Sequence, residues 1–179
     1  MSEISFRKFT PEDAKAFKAL NIEWLETYFV VEPIDELVLS NPQTEIIDKG
    51  GFVFMACIEE KTVGTFAYIK KGAGIFEFSK MAVAPALRGQ GIGNQMMQFA
   101  IRFAEQHHWS KILLYSNTIL ENSIHLYKLL FLIAYSSGQL RAKDVPINVR
   151  TLHRHMRDTF YSLTYRTLIQ QLFSHSTDT

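Results

Sequence analysis

A glycine-rich segment at residues 88–93, Arg-Gly-Gln-Gly-Ile-Gly, has the composition of a loop that binds phosphate groups through its main chain. An apolar strand pattern ends at Val83, and an apolar pattern of helical period follows the loop. A chain that passes from a strand through such a turn into a helix leaves backbone N–H groups unpaired at the positive end of the helix. Glycine permits close approach and positive φ, and Arg88 adds a full positive charge. The segment therefore predicts a phosphate-binding site.

Two other phosphate-binding motifs do not fit this segment. The Walker motif ends in Gly-Lys followed by Ser or Thr, and the sequence contains no Gly-Lys pair. The dinucleotide motif Gly-x-Gly-x-x-Gly needs a third glycine at the position that Asn94 occupies. An ordinary tight turn without a ligand is the alternative for this segment.

Glu77 is a candidate general base. It lies between Phe76 and Phe78 in an apolar strand, and alternation along the strand places it on the same face as Met81. Aromatic neighbours would remove water from the carboxylate and raise its pKa toward that of a useful base. The alternative is a solvated glutamate, or one that forms an ion pair with a lysine such as Lys80.

Two segments of the chain resemble the GCN5-related N-acetyltransferase (GNAT) family. Residues 81–93 resemble its acyl-CoA pyrophosphate loop, whose motif reads roughly V-x-P-x-x-R-G-x-G-I-G. The resemblance covers residues 4–149, and the chain departs from the family at Leu130, where glycine is usual, and in everything after position 149. The second segment, residues 114–131, is similar to the family's passage from strand 5 to helix 4, with matching spacing of Asn117, Asn122, Tyr127 and Phe131.

The resemblance implies transfer of an acetyl group from acetyl-CoA directly to a primary amine, without a covalent enzyme intermediate and without a metal. The pyrophosphate would lie over the N–H groups of the glycine loop, and the pantetheine arm would pair with the backbone at the end of the preceding strand. The runner-up is a catalytically silent sensor or interaction module that binds acyl-CoA. The residues assigned to acyl-CoA binding are Met81, Ala82, Val83, Arg88, Gly89, Gln90, Gly91, Ile92, Gly93, Asn117 and Asn122.

The same resemblance assigns the two proton transfers to Glu77 and Tyr127. Glu77 would accept the proton of the amine, although many relatives use water or receive a neutral amine. The phenol of Tyr127, with an ordinary pKa of about 10, would protonate the departing thiolate; the alternative is a core tyrosine that anchors helix 4. Asn117 and Asn122 suit either contacts to the pantetheine amides or capping of helix 4.

The amine acceptor, a small molecule or a peptide, is not identified by any motif. Aromatic and acidic side chains occur together in and after the first helix, and this combination suits a cationic amine. The alternative is that the aromatic residues belong to the core and the acids to the surface. The residues concerned are Trp24, Tyr28, Phe29, Glu32, Asp35 and Glu36.

Composition limits the class of protein. The 179 residues are 47% hydrophobic and 21% charged, with a net charge of +1, so neither nucleic acid nor a membrane is expected as a partner. The N-terminus has no secretory pattern, and we expect a cytoplasmic protein that could form a homodimer. The single cysteine, Cys57, is expected in the core, and the histidines have no metal-ligand spacing.

The pattern of elements predicts an α/β fold with a mixed, mostly antiparallel GNAT-type sheet flanked by helices and a helical C-terminal extension. The predicted division is an acetyltransferase domain, residues 1–149, and an extension, residues 150–179. Residues 151–173 read as a basic helix that packs on its own domain or on a partner subunit; anionic lipid or RNA is the alternative. Strands are predicted at 4–9, 52–58, 63–69, 75–83, 112–115, 131–135 and 145–149, and helices from residue 10 and at 42–50, 91–108 and 119–130.

Overall fold

The computed structural model describes residues 3–116, 148–151 and 161–163. In these residues a seven-stranded sheet has its strands side by side in chain order. The strands are β1 (Ser5–Lys8), β2 (Phe52–Ile58), β3 (Lys61–Gly72), β4 (Ile75–Val83), β5 (Lys111–Ser116), β6 (Asn148–Thr151) and β7 (Tyr161–Leu163). The helices are α1 (Ala14–Tyr28), α2 (Pro33–Ser40) and α3 (Ile92–Gln106).

The sheet is mixed. Strands β1 to β4 pair antiparallel, β5 is parallel to both β4 and β6, and β7 is antiparallel to β6. Two-residue turns, Glu59-Glu60 and Ala73-Gly74, join β2 to β3 and β3 to β4, whereas the parallel step from β4 to β5 requires a crossover, which α3 supplies. The mixed, mostly antiparallel sheet predicted from the sequence is confirmed.

Helices cover both faces of the sheet because the central strands carry apolar side chains on both faces. On the face covered by α3, Met96 and Phe103 pack against Phe54 and Phe66 of the central strands. On the opposite face, covered by α1 and α2, the core includes the following residues: Phe17, Leu39, Val53, Met55 and Cys57. Cys57 is a buried core residue, as predicted.

The start of α1 is fixed by a carboxylate. The chain enters through a 3₁₀ turn at Pro11–Asp13, and Asp13 Oδ2 accepts the Thr10 N–H at 2.9 Å. Arg7 on β1 donates to the other oxygen of Asp13 at 2.7 Å, which ties the helix to the edge strand. Hydrogen bonding from Arg7 lowers the pKa of Asp13, although its burial opposes the shift. The predicted helix start at residue 10 is therefore confirmed, with its physical cause.

Residues 29–40, for which the sequence pattern predicted no separate strand or helix, contain α2. Pro33 occupies its first turn, where a missing N–H costs nothing, and Asp35 Oδ2 accepts the Glu32 N–H at 3.3 Å. The helix predicted at residues 42–50 is a shorter π-helical turn, Gln43–Ile47. These two elements place Asp35 against the sheet, where it is buried.

The predicted C-terminal helix is wrong at residues 161–163, which form β7. Strand β6 has backbone groups to satisfy on its outer edge, and this short segment pairs there antiparallel. Strand β6 also crosses the predicted domain boundary after residue 149, so part of the extension joins the same sheet. The predicted strand at residues 131–135 and helix at 119–130 lie outside the described residues, and the domain division stays a prediction.

Candidate active site

A β-bulge divides β4 into two halves. Thr65 pairs with Ala82 and Ala67 with Ser79, so two residues of β4 lie opposite one residue of β3. Lys80, within the bulge, has φ of 52°. Beyond this point the alternation of side chains is reversed, and Met81 packs on the α3 face of the sheet. The prediction that Met81 shares a face with Glu77 was wrong for this reason.

The two halves of β4 also differ in their pairing with β5. The parallel ladder runs from the Ile75–Lys111 pair to the Phe78–Leu114 pair and ends there, although both strands continue. On its other edge β5 stays paired with β6, from the Leu113–Asn148 pair to the Ser116–Thr151 pair. Among the described residues, no strand therefore pairs with the β5-side edge of β4 beyond Phe78. A free strand edge offers backbone donors and acceptors to an extended ligand.

The glycine loop follows the free half of β4 after a 3₁₀ turn at Pro85–Leu87. Gly89 and Gly91 have φ of 77° and 80°, which confirms the positive φ predicted for this loop. Gly91 caps α3, and the first helical hydrogen bond runs from the Gln95 N–H to its carbonyl at 3.2 Å. Within the described part of the chain, the N–H groups of residues 89–94 donate to no carbonyl. They form a positively polarised group of donors at the start of α3.

The space beside the loop is open. A methyl group built on Gly89 or Gly91 would meet no atom within 4 Å, in contrast to Gly51, where the Tyr68 carbonyl oxygen would lie at 2.4 Å. Glycine is therefore required at Gly91 by its backbone conformation and not by contacts with the protein. An anion placed against the N–H groups has room at this position.

Arg88 does not extend freely beside the loop. Its Nε donates to the carbonyl of Val83 at 3.0 Å, and its Nη2 forms an ion pair with Glu23 of α1. Sequence reasoning missed Glu23, because the two residues are 65 positions apart and no local pattern links them. The predicted positive charge is present, but it is partly neutralised by this carboxylate.

Glu77 lies in the paired half of β4. It is opposite Ile69 of β3 and Leu113 of β5, so its backbone is held on both sides. Its carboxylate forms an ion pair with Lys71 at 2.7 Å, and its side chain is only 15% exposed. A lysine partner was the alternative raised by the sequence, but Lys80 is not that partner. The role of Glu77 as a base stays a prediction.

Lys80 instead holds α2 on the sheet. Its Nζ lies 3.0 Å from Asp35 Oδ1, and both side chains are largely buried. The bulge turns Lys80 toward this helix, which sequence alternation alone did not indicate. The pair fixes α2 beside the point at which β4 changes from its paired to its free half.

The predicted acceptor residues of α1, of α2 and of the segment between them differ in burial. The ring of Trp24 is 5.6 Å from the rings of both Tyr28 and Phe29, and Tyr28 is 45% exposed. Asp35 is buried, whereas Glu36 is exposed. The alternative that the aromatic residues are core and the acids are surface is therefore wrong for Tyr28 and Asp35.

Three further candidates, Asn117, Asn122 and Tyr127, lie outside the described residues, and their roles stay predictions. In the described residues, no group of three or more histidine, cysteine, aspartate or glutamate side chains is arranged to hold a metal ion. No helix in the same part of the chain has the length and apolar character needed to cross a membrane.

The acetyltransferase (GNAT) family model matches residues 17–131 of this sequence, which is more than half of its length. The chain therefore belongs to the GNAT acetyltransferase family. This match includes β4, the glycine loop and α3. A search of curated proteins found no match.

Solved structures agree on the fold. A GNAT-family acetyltransferase from Staphylococcus aureus Mu50 has a TM-score of 0.58 at 14% identity, over 89% of this chain and 96% of that one. A spermidine N-acetyltransferase chimera from Vibrio cholerae and hSSAT has a TM-score of 0.60 at 20% identity, over 72% and 80%. A Bacillus subtilis acetyltransferase in complex with CoA has a TM-score of 0.54 at 17% identity, over 73% and 76%.

Proposed function

We propose that this protein is an N-acetyltransferase that transfers the acetyl group of acetyl-CoA directly to a primary amine. The observation that carries the proposal is that two stretches of unpaired main chain, a strand edge and a glycine loop, follow one another along the chain. The free edge of β4 leads through the 3₁₀ turn Pro85–Leu87 into the glycine loop, where the N–H groups of residues 89–94 donate to no main-chain carbonyl of the described residues. An extended pantetheine arm that ends in a pyrophosphate requires these two features in this order.

The free half of β4 would hold the pantetheine amides through the backbone of Met81, Ala82 and Val83. The loop would hold the pyrophosphate through its N–H groups, with Arg88 as the adjacent charge. Both contacts use main-chain groups, so they do not require the same side chains as in the solved structures. Asn117 and Asn122 are proposed as further contacts to the pantetheine arm.

In the proposed reaction the amine nitrogen attacks the thioester carbon and the C–S bond breaks. Glu77, directly or through water, takes the proton that the amine loses, and the phenol of Tyr127 gives a proton to the departing thiolate. Cys57 is buried on the α1 face, which supports transfer without a covalent enzyme intermediate. The acceptor would be a small molecule or a peptide. The cytoplasmic location and the possible homodimer stay predictions.

The test combines CoA binding with turnover in wild type and in two glycine variants. Gly91→Ala should weaken CoA binding at least tenfold by calorimetry, because its methyl group enters the open space beside the loop. Gly50→Ala is the matched control: its φ is 82°, and only the flexible end of Lys70 lies near the added methyl. Both variants should lose about 1–2 kcal/mol of unfolding free energy through backbone strain. Equal CoA affinity in both variants would mean that the glycine loop is not the CoA-binding site.

Wild-type turnover is measured as thiol release from acetyl-CoA with a panel of primary amines. Release that depends on the amine and yields the acetylated product supports the transferase. Stabilisation by CoA without turnover on any amine would instead favour the sensor module.

A further inference from the structure

Lys80 does not follow the alternation of side chains along β4. Phe76 and Phe78 pack on the α3 face of the sheet, and regular alternation would place Lys80 on that face too. An ammonium group without a partner in this apolar core would lose its hydration at a large cost in free energy. The bulge avoids this cost, because Met81 packs on the α3 face instead and Lys80 turns to α2 on the opposite face.

The carboxylate of Asp35 links the bulge to α2. Its Oδ1 accepts a hydrogen bond from the Lys80 ammonium at 3.0 Å, and its Oδ2 accepts the Glu32 N–H at the start of the helix at 3.3 Å. The side chains of Lys80 and Asp35 are only 17% and 11% exposed, so salt and water screen their attraction weakly. One carboxylate therefore fixes both the bulge of β4 and the first turn of α2.

The backbone of Lys80 has a conformation that lysine rarely adopts. Its φ is 52°, in the left-handed region, where Cβ lies too close to the following carbonyl oxygen. A residue keeps such a conformation only where the surrounding contacts offset the strain. The ion pair on one face of the sheet and the packing of Met81 on the other supply these contacts. Removal of the ammonium group would favour regular pairing, because an uncharged side chain can be buried on the α3 face.

The bulge lies at the end of the free edge that is farthest from the glycine loop. The ladder between β4 and β5 ends at Phe78, and residues 79–83 of β4 span roughly 16 Å at about 3.3 Å per residue. An extended pantetheine arm has a comparable length. With the pyrophosphate at the loop, the sulfur end of the arm would therefore reach the bulge.

We propose that the Asp35–Lys80 ion pair positions the donor: it holds the bulge of β4 and thereby fixes the main-chain groups that bind the sulfur end of the pantetheine arm. This inference rests on the proposed function and names two residues that act through the main chain of β4. Loss of the pair should weaken binding of the arm and leave binding of the pyrophosphate unchanged. A pair that only stabilised the fold would not separate these two parts of the ligand.

The test is Lys80→Met, compared with Lys18→Met as a matched control. Both substitutions remove an ammonium group that is paired with an acid of α2, but Lys18 lies on α1 and its partner is the exposed Glu36. Calorimetry measures the Kd of CoA and of 3′-phospho-ADP, which keeps the pyrophosphate and lacks the pantetheine arm. Lys80→Met should weaken CoA binding by about five- to tenfold and change the Kd of 3′-phospho-ADP by less than about twofold. Lys18→Met should change neither Kd by more than about twofold.

Two further variants separate the charge of Lys80 from the packing of its stem. Lys80→Arg keeps the charge and should bind CoA within about threefold of wild type. Asp35→Asn combined with Lys80→Met removes both charges and should bind CoA as weakly as Lys80→Met alone, because the pair acts as one unit. The double variant gives the same test if the single variant does not fold.

The conformation of the bulge is measured separately by NMR. The backbone chemical shifts of residue 80 should indicate a positive φ in wild type and an extended strand in Lys80→Met. Equal weakening of both ligands in Lys80→Met, unchanged CoA affinity, or a retained positive φ would overturn the proposal. Failure of the wild type to bind either ligand would reject the proposed function instead, and the chemical shifts would still test whether the pair holds the bulge.

Discussion

The carboxylate of Glu77 is paired with the ammonium group of Lys71, and this pairing makes its catalytic role testable with two variants. Glu77→Gln keeps the shape of the side chain and removes its capacity to accept a proton. If Glu77 is the base, kcat should fall by about 10²- to 10⁴-fold.

The matched control is Lys71→Met, which removes the ion pair and keeps the carboxylate. This partly exposed pair should contribute no more than about 1 kcal/mol, so both variants should lose similar small amounts of stability in denaturant titrations. Full kcat in Glu77→Gln would leave Glu77 a structural role only. An equal large loss of kcat in both variants would mean that the pair, and not the base, is required.

At the residue scale, the sequence predicted the local features of the site but not its long-range partners. The positive φ of Gly89 and Gly91 follows from glycine spacing before a helix, which is a local property. Glu23 reaches Arg88, 65 positions away, only through the tertiary arrangement of α1, whereas Lys71 reaches Glu77 across the short turn between β3 and β4. No periodicity within a single segment encodes those contacts.

Asp13 accepts the hydrogen bonds that fix the start of α1, and its lowered pKa makes the start of this helix sensitive to acid. The folded pKa lies below the ordinary value of about 3.9, so the Arg7–Asp13 pair adds stability above that value and loses it as pH falls through the folded pKa. Asp13→Asn should lower the free energy of unfolding by about 1–3 kcal/mol at pH 7.

The difference between wild type and Asp13→Asn should shrink below about pH 4 as the wild-type carboxylate becomes protonated. Urea titrations at several pH values measure this change. Glu26→Gln, which removes an exposed charge from the same helix, should have little effect at any pH. A stability difference that stays constant from pH 7 to pH 2 would contradict the assignment.

At the element scale, the sequence predicted most strands and helices but missed the bulge in β4. Residues 75–83 have a strand pattern that is correct in its bounds, and simple alternation placed Met81 on the wrong face. The extra residue is visible only in the pairing with β3, where Phe66 lies opposite two residues. Alternation along one strand cannot reveal how its neighbour is paired.

At the scale of the whole molecule, the order of strands followed from local turns and from one crossover helix. Short turns favour antiparallel neighbours, and a helix between two strands allows the parallel step from β4 to β5. The departure of β5 from β4 after Phe78 was not readable from the residues, because it is a property of the main chain. The predicted helix over residues 161–163 failed because the open edge of β6 accepts any short extended segment.

The contrast between the two-residue turns of β2–β4 and the crossover to β5 has a kinetic consequence. Contacts within β2, β3 and β4 close small loops, whereas pairing of β4 with β5 must wait for 27 intervening residues to become ordered. We therefore expect the three-stranded meander to form the folding nucleus and the parallel half of the sheet to add later.

In pulsed hydrogen exchange during refolding, amides of Phe54 and Phe66 should become protected before those of Leu113. Simultaneous protection would contradict this order. The free edge of β4 beyond Phe78, which we propose to bind the pantetheine arm, would then be among the last parts of the molecule to form.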